Sequence, residues 1–167
     1  MLSNLNMNKA FLLLGGNIGN REENFRKTRE LIEKFCGAII QTSSLYETAA
    51  WGITDQPAFL NQAIEIETQL NAMELMGMIL KIEQSMGRER KEKYGPRIID
   101  IDILLFNEEQ HDDPSLKIPH PEMQNRRFVL VPLTEIAGNF QHPVLGKSIS
   151  RLLKECPDKL EVKKYLA

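Results

Sequence analysis

The residues best suited to chemistry are two carboxylates in the segment Gly95-Pro96-Arg97-Ile98-Ile99-Asp100-Ile101-Asp102-Ile103. Ile99, Ile101 and Ile103 alternate with Asp100 and Asp102, which is the period of an extended strand. Both carboxylates therefore project from one face, with Cα atoms roughly 6–7 Å apart. Aspartate is depleted in strands, and two on one face repel each other. A hard cation such as Mg²⁺, which takes carboxylate, water and phosphate oxygens, would remove that cost. Two such ions about 3.5–4 Å apart could clamp the attacking and leaving oxygens of a phosphoryl transfer. For the pair alone, the plain alternative is a solvated polar strand face. Arg88, Arg90, Lys91, Lys93 and Arg97 lie just upstream. Arginine grips phosphate bidentately, although a charge run by itself is more often only solvated. Carboxylates beside cations, joined through a Gly-Pro hinge, point to metal–phosphate chemistry under a mobile lid. Glu83, on the preceding element, either positions the lid or ligand or is an ordinary helix-surface carboxylate.

Two further clusters could serve the same site. Phe59 and Asn61 share the strand face opposite Leu60 and Ile64. An aromatic ring there can stack on a flat heterocycle, and an amide offers both a donor and an acceptor to its edge; taken alone, Phe59 is more often a core residue. Trp51, in Ala49-Ala50-Trp51-Gly52, is either a pocket cover or a loop anchor. In Ile118-Pro119-His120-Pro121 and Asn125-Arg126-Arg127-Phe128, His120 could donate to a phosphate and Arg126 could reach a phosphate or nucleotide. A lone histidine between prolines is more commonly a satisfied loop residue. His111 and His142 have no such neighbours. Gly15-Gly16-Asn17-Ile18-Gly19 lacks the Gly-Lys-Ser/Thr ending of a phosphate loop and reads as a tight turn.

The elements that must carry these residues follow from periodicity. Residues 9–14 read as a buried strand closed by the Gly15-Gly16-Asn17 turn. Asn20 caps a helix, with Glu23 as the return partner of a capping box. Phe25, Thr28, Ile32 and Phe35 repeat at helical spacing up to Gly37. Residues 38–46 read as a second strand and 58–68 as a third. Asn71 and Glu74 open a second helix with the stripe Leu75, Met78, Ile79, Ile82 and Met86. Residues 99–106 form a fourth strand. A long loop, a short strand over 128–131 and short helical pieces complete the chain. The order strand, helix, strand, strand, helix, strand predicts an α+β, ferredoxin-like βαββαβ sandwich with an additional C-terminal strand and short helices. Both helices pack on one sheet face, leaving the other open unless loops cover it.

Bulk properties set the frame. The 167 residues suit one domain spanning 1–167, with no linker or second domain expected. With 42% hydrophobic and 26% charged residues, the composition is that of a globular protein. A net charge of −2 gives no global attraction to nucleic acid or anionic membrane, so an anionic ligand needs a local cationic cluster. Cys36 and Cys156 lie far apart without metal-ligand spacing and read as reduced thiols. With no leader pattern and no long apolar run, a cytoplasmic monomer is expected.

Taken together, the segments resemble the 6-hydroxymethyl-7,8-dihydropterin pyrophosphokinases of folate synthesis. The likeness runs from Leu14-Gly15-Gly16-Asn17 to about Pro143. It passes through Tyr46-Glu47-Thr48, Asp55-Gln56-Pro57-Ala58-Phe59-Leu60-Asn61, Glu83 to Gly87-Arg88, the Arg97-to-Asp102 block, Pro119-His120-Pro121 and Asn125-Arg126-Arg127-Phe128. The resemblance implies the ferredoxin-like fold and transfer of pyrophosphate from ATP, as cosubstrate, to the pterin hydroxymethyl group, releasing AMP. Asp100 and Asp102 would hold two Mg²⁺ ions, with Asp100 also lining the pterin site. Phe59 and Phe128 would sandwich the pterin and Asn61 would bond its edge, with Thr48, Ala49 and Trp51 alongside. Glu83, Arg88, Arg97, Ile103, His120 and Arg126 would line the ATP site, with Arg88 and Arg97 on a mobile catalytic loop. Ala49-Ala50 stands where the family often has proline, Tyr94 where tryptophan is frequent, and Pro121 where an aromatic residue can occur. None of these departures removes an expected metal ligand. Two rival readings are a ferredoxin-like RNA- or ligand-binding module, which the acidic pair disfavours, and a metal-dependent nuclease or phosphatase, which would not require the Phe59, Asn61 and Phe128 cluster.

Overall fold

The structure, a computed structural model, describes residues 6–49, 55–87 and 97–166. Strand β1 (Asn8–Gly16) is followed by helix α1 (Arg21–Phe35), strands β2 (Ala38–Thr42), β3 (Tyr46–Thr48) and β4 (Phe59–Thr68), helix α2 (Ala72–Ser85) and strand β5 (Asp100–Phe106). A hairpin β6 (His111–Asp113) and β7 (Leu116–Ile118), helices α3 (Arg127–Ala137) and α4 (Ile149–Glu155), and strand β8 (Val162–Lys164) complete it. The sheet runs β5-β1-β4-β3-β8, with β2 also pairing β4, and its ladders are antiparallel. The expected βαββαβ core is therefore present, with β1 and β4 at its centre.

The second strand of that core is broken in two for a local reason. Ser43 donates its own N–H to Ala63 O at 2.8 Å, but its hydroxyl, not a backbone carbonyl, accepts the Ala63 N–H at 2.9 Å. A side chain has taken a ladder position, so the regular strand expected over 38–46 ends at Thr42 and resumes at Tyr46. The helix starts follow the sequence more closely. Asn71 and Glu74 form a complete capping box, each bond 2.8 Å long. Asn20 caps α1 by accepting from Glu23 N at 3.1 Å, but the Glu23 carboxylate pairs with Arg26 and does not return to the cap. Phe35, expected on the apolar stripe of α1, is 45% exposed at the final turn.

Two apolar clusters sit on opposite faces of the sheet. Leu12, Leu14, Leu60, Ile64, Ile101 and Ile103 pack with α1 and α2. Phe11, Leu13, Ala63, Leu104 and Leu105 pack with Val129, Leu130 and Leu133 of α3 and Leu152 of α4. The second face is thus covered over part of its area by helices, not left open. The strand expected over 128–131 is the first turn of α3. Val129, Leu133 and Ala137 recur at the spacing of one helical stripe, and burial of that stripe overrides the β-propensity of the Phe-Val-Leu-Val run. The loop expected after β5 contains the β6–β7 hairpin. Among the described residues, no helix is long and apolar enough to cross a membrane.

A β-bulge decides what β5 presents. Leu12 faces Ile103 and Phe11 faces Leu105, so Leu104 is the extra residue. An extra residue leaves its backbone groups outside the ladder, and Leu104 O accepts the His120 N–H at 3.0 Å. The bulge thereby fixes the segment carrying His120 beside β5.

Candidate active site

A cross-strand row crosses the second face at one end of the sheet. Tyr46 on β3 pairs with Asn61 on β4, Asn61 with Gly15 on β1, and Gly15 with Asp100 on β5. Directly paired residues share a face, so all four positions look the same way. One step along the strands, Ala63, Leu13 and Asp102 form a parallel row. Phe59 pairs with Thr48 on the same face. The sheet therefore brings Phe59, Asn61, Asp100 and Asp102 to one side, as their alternation predicts. Gly15 is the floor between them. A Cβ there would lie 2.8 Å from Asn61 Oδ1, so the Asn61 amide occupies space that only a glycine leaves. Strands are spaced about 4.8 Å apart, which puts Asn61 and Asp100 about 10 Å apart across Gly15.

The carboxylate strand is anchored from behind. Glu83 is 3% exposed and accepts the Ile101 N–H on Oε2 at 2.8 Å. It is not a surface carboxylate; it holds the one backbone amide between the two aspartates. Ile103 sits 3% exposed in the helix-side cluster, so its side chain points away from Asp100 and Asp102, and any nucleotide contact there must use its backbone. Asp100 and Asp102 are half-buried. Among the described residues, no group of three or more His, Cys, Asp or Glu forms a metal cluster; the carboxylates that β5 presents on this face are Asp100 and Asp102.

Three side chains flank this pair from the α3 side. His120 Nδ1 accepts the Glu122 N–H at 3.2 Å, which places the proton of the neutral ring on Nε2. Burial, reinforced by the Arg126 charge, pushes the imidazole below its ordinary value, while Glu122 and Asp100 act in the opposite sense. The Arg126 guanidinium lies 5.9 Å from the Phe128 ring centroid. Phe128 is half-buried in the first turn of α3, whose N-terminal Arg127 N–H is capped by Asp158 Oδ2 at 3.0 Å. On the β3 side, Thr48 is 4% exposed, and its Oγ1 has no hydrogen-bond partner among the described residues. A buried hydroxyl in that state is a group a ligand can satisfy. Ala49 follows it, exposed. Trp51 and Arg88 lie outside the described residues, as do Arg90, Lys91, Lys93, Tyr94 and the Gly95-Pro96 hinge.

Several positioning residues escaped the sequence reading. Asn17, 1% exposed, donates from Nδ2 to Gln56 Oε1 and Pro57 O, both at 2.9 Å, and accepts the Arg97 N–H on Oδ1 at 2.8 Å. Its backbone N–H donates to Arg97 O at 2.9 Å. One turn residue therefore joins the approach to β4 and the approach to β5. Tyr46 OH donates to Glu135 Oε1 at 2.5 Å, and Ser44 N donates to Glu135 Oε2 at 2.9 Å. Burial, with the Glu135 bond, pushes the Tyr46 phenol up to about 12, so it stays a donor and pins α3 over β3. In the sequence, Asn17 follows two glycines, which reads as turn punctuation, and closes the Leu14-Gly15-Gly16-Asn17 segment of the family likeness; neither signal names its partners.

A family profile described as 7,8-dihydro-6-hydroxymethylpterin-pyrophosphokinase (HPPK) matches residues 11–138. The chain belongs to this family. It is 45% identical over 130 residues to the 2-amino-4-hydroxy-6-hydroxymethyldihydropteridine pyrophosphokinase of Bacillus subtilis, covering 77% of this chain and 78% of that protein. It is 40% identical over 149 residues to the Aquifex aeolicus protein of the same name, covering 89% of this chain and 92% of that one. A crystal structure of Plasmodium falciparum HPPK-DHPS superposes with a TM-score of 0.74 at 21% identity, over 91% of this chain and 44% of that chain. That likeness concerns the fold, and it agrees with the α+β sandwich. The matched HPPK segment contains every expected site position, from Thr48 to Phe128.

Two histidines of this family member make its stability depend on pH. His142, 4% exposed, accepts the Val144 and Leu145 N–H groups on Nδ1 at 3.2 and 3.0 Å, and burial pushes its imidazole below the ordinary value. His120 is shifted in the same direction. Between the unfolded value of about 6.5 and the lower folded values, the unfolded chain binds more protons. Stability is therefore full above about pH 6.5 and declines as pH falls below it. Urea denaturation at about pH 7.5 and about pH 5.5 should show a lower midpoint at the acidic value. Equal midpoints would mean that neither ring is held neutral by the fold.

Proposed function

We infer that the chain transfers a pyrophosphoryl group from ATP to the hydroxymethyl group of 6-hydroxymethyl-7,8-dihydropterin, releasing AMP, in folate biosynthesis. The observation that carries this reading is the single cross-strand row that sets Asn61 and Asp100 on one face, either side of Gly15. A flat pterin fits over that floor. Phe59 and Phe128 offer its two stacking surfaces, the Asn61 amide matches its polar edge, and Thr48 Oγ1 with the backbone at Ala49 lies alongside. Trp51 belongs to the same segment.

Asp100 and Asp102 suit Mg²⁺. They supply only hard oxygen donors, and as a pair they leave most coordination positions to water and phosphate oxygens. When bound there, two such ions would neutralise charge on the triphosphate and on the attacking and leaving oxygens. Glu83 keeps the Ile101 peptide, and with it both aspartates, in place. His120 Nε2–H and the Arg126 and Arg97 guanidiniums bind and orient the phosphates from the other side, with Arg88 assigned to the same task. The pterin hydroxyl oxygen bonds to the β-phosphorus as the bond from that phosphorus to the α,β-bridging oxygen breaks. AMP leaves with the bridging oxygen, and the hydroxyl proton goes to solvent. Alignment and preorganised charge supply most of the rate.

The test is a coupled AMP-release assay with ATP, Mg²⁺ and the pterin alcohol, with the product's mass determined. Pterin-dependent AMP and a product heavier by a diphosphate establish the reaction. Absence of AMP from folded protein would reduce the assignment to fold and family alone.

A further inference from the structure

Arg21 breaks a local rule. It is the first residue of α1, where a positive charge opposes the helix dipole, and it is followed by Glu22 and Glu23, which suit that position. A residue that is locally unfavourable usually answers to a tertiary contact, and Arg21 has three. Its Nη1 donates to Glu47 Oε2 at 2.7 Å and to Ala58 O at 2.9 Å. Its guanidinium also lies 5.3 Å from the Tyr165 ring centroid. Tyr165 is itself fixed: its OH donates to Glu22 Oε1 at 2.8 Å and its N–H to Leu45 O at 2.8 Å, immediately after β8 pairs with β3.

Glu47 and Ala58 stand at the two ends of the segment between β3 and β4. Glu47 precedes Thr48 and Ala49, and Ala58 precedes Phe59 and Asn61. Both flanks carry the residues assigned to the pterin. Glu47 alternates with Tyr46 and Thr48 and therefore faces α1, on the side of the sheet away from the site. Arg21 cannot touch a ligand lying over Gly15. It can set the plane of the Ala58–Phe59 peptide and the separation of the two flanks. Asn17 already holds the preceding carbonyl, Pro57 O, so consecutive carbonyls leading into Phe59 are fixed by two side chains of the β1–α1 region.

We propose that Arg21, braced by the Tyr165 ring, is a positioning residue for the pterin alcohol: it ties Glu47 of β3 to Ala58, just before β4, from behind the sheet and so fixes Phe59 against Thr48. The proposal rests on the pterin reading of that face.

The experiment compares wild type with Arg21→Ala, Arg21→Lys, Tyr165→Leu and Tyr165→Phe. Binding of 6-hydroxymethylpterin is measured in the presence of a nonhydrolysable ATP analogue and Mg²⁺. Binding of the ATP analogue alone and amide hydrogen exchange over residues 58–61 of ligand-free protein are also measured. Arg21→Ala should weaken pterin binding about tenfold, the size of one charge-assisted hydrogen bond, leave the affinity for the ATP analogue within about twofold, and speed exchange at 58–61. Arg21→Lys should recover part of the affinity, because an ammonium also carries several donors. Tyr165→Leu should move pterin binding in the same direction by less, and Tyr165→Phe, which keeps the ring, should not. Unchanged pterin affinity in Arg21→Ala, or an equal loss for both ligands, would overturn the clamp. If wild type itself binds no pterin, the pterin reading falls. The exchange data then decide the clamp separately: unchanged exchange at 58–61 removes it as well.

Discussion

Asp100→Ala and Asp102→Ala are each expected to cut pterin-dependent AMP formation by about a thousandfold while leaving the fold in place. Loss of activity follows from the donor set. Asp100 and Asp102 are the two carboxylates that β5 presents on this face, so on the proposed metal assignment removing one would take away half of that pair and leave the triphosphate charge poorly neutralised. Retention of the fold follows from where these side chains sit. Both are half-buried at the open end of the sheet, and the strand is held by its ladder to β1 and by Glu83 on the Ile101 amide, neither of which involves the carboxylates. The rate of AMP release at saturating Mg²⁺ and the thermal unfolding midpoint should be measured on the same preparations. Near-normal turnover would remove the metal-ligand assignment, and collapse of the midpoint would make the loss uninterpretable as chemistry. Asp100→Asn and Asp102→Asn, which keep the shape, provide the stricter form of the same comparison.

Gly16→Ala is expected to damage both stability and rate, although it adds a single methyl group. The new Cβ would lie 2.4 Å from Ile98 O, 3.2 Å from Ile98 C and 3.4 Å from Arg97 O, all backbone atoms. No rotamer change relieves that contact; the Ile98–Ile99 peptide must move, and the Arg97 carbonyl with it. Arg97 O accepts the N–H groups of Asn17 and Ile18 at 2.9 and 3.2 Å, so the shift breaks the joint between the β1–α1 turn and the start of β5. Overpacking of this kind costs about 1–3 kcal/mol. Displacing Arg97 and the first turn of the carboxylate strand by about 1 Å is worth about a hundredfold in rate. Gly77→Ala is the control. A Cβ at Gly77 meets nothing within 4 Å on the exposed side of α2, so it should stabilise by about 0.5–1 kcal/mol and leave the rate alone. Denaturant midpoints and AMP release on both variants check the pair of expectations; similar behaviour of the two would remove the argument from close approach.

What could be read from the chain alone was whatever depends on short-range periodicity. Ile99 to Ile103 alternate strictly, so the shared face of Asp100 and Asp102 followed without a structure. The same holds for Phe59 and Asn61 opposite Leu60 and Ile64, and the Asn71–Glu74 box is a purely local device. What could not be read depended on partners distant in sequence. The burial of Glu83 follows from its meeting with the Ile101 amide, 18 positions away, and at its own site it resembles any helix glutamate. Ser43 interrupts a strand only because its hydroxyl finds Ala63. Residues 128–131 have β-like composition and are followed by Pro132, which suggests a break, yet Pro132 lies inside α3, where coverage of Phe11 and Leu13 decides the conformation. Arg21 carries no motif, and Asn17 stands in the Leu14-Gly15-Gly16-Asn17 segment without any sign of its partners; their roles exist only once three chain segments meet.

The placement of Asn61 and Asp100 on neighbours of β1 has a further consequence for how such a site can change. Their separation is a whole number of interstrand spacings, fixed by backbone hydrogen bonds and not by side-chain length. The sheet acts as a ruler that neither substitution nor modest warming recalibrates. A register slip would carry one group to the wrong face instead of a little nearer. Acceptors of different size must therefore be accommodated at the rims, through the residues at either end of the row. Attempts to redirect the site toward a larger heterocycle have most room at Phe59 and Phe128, and least at Gly15.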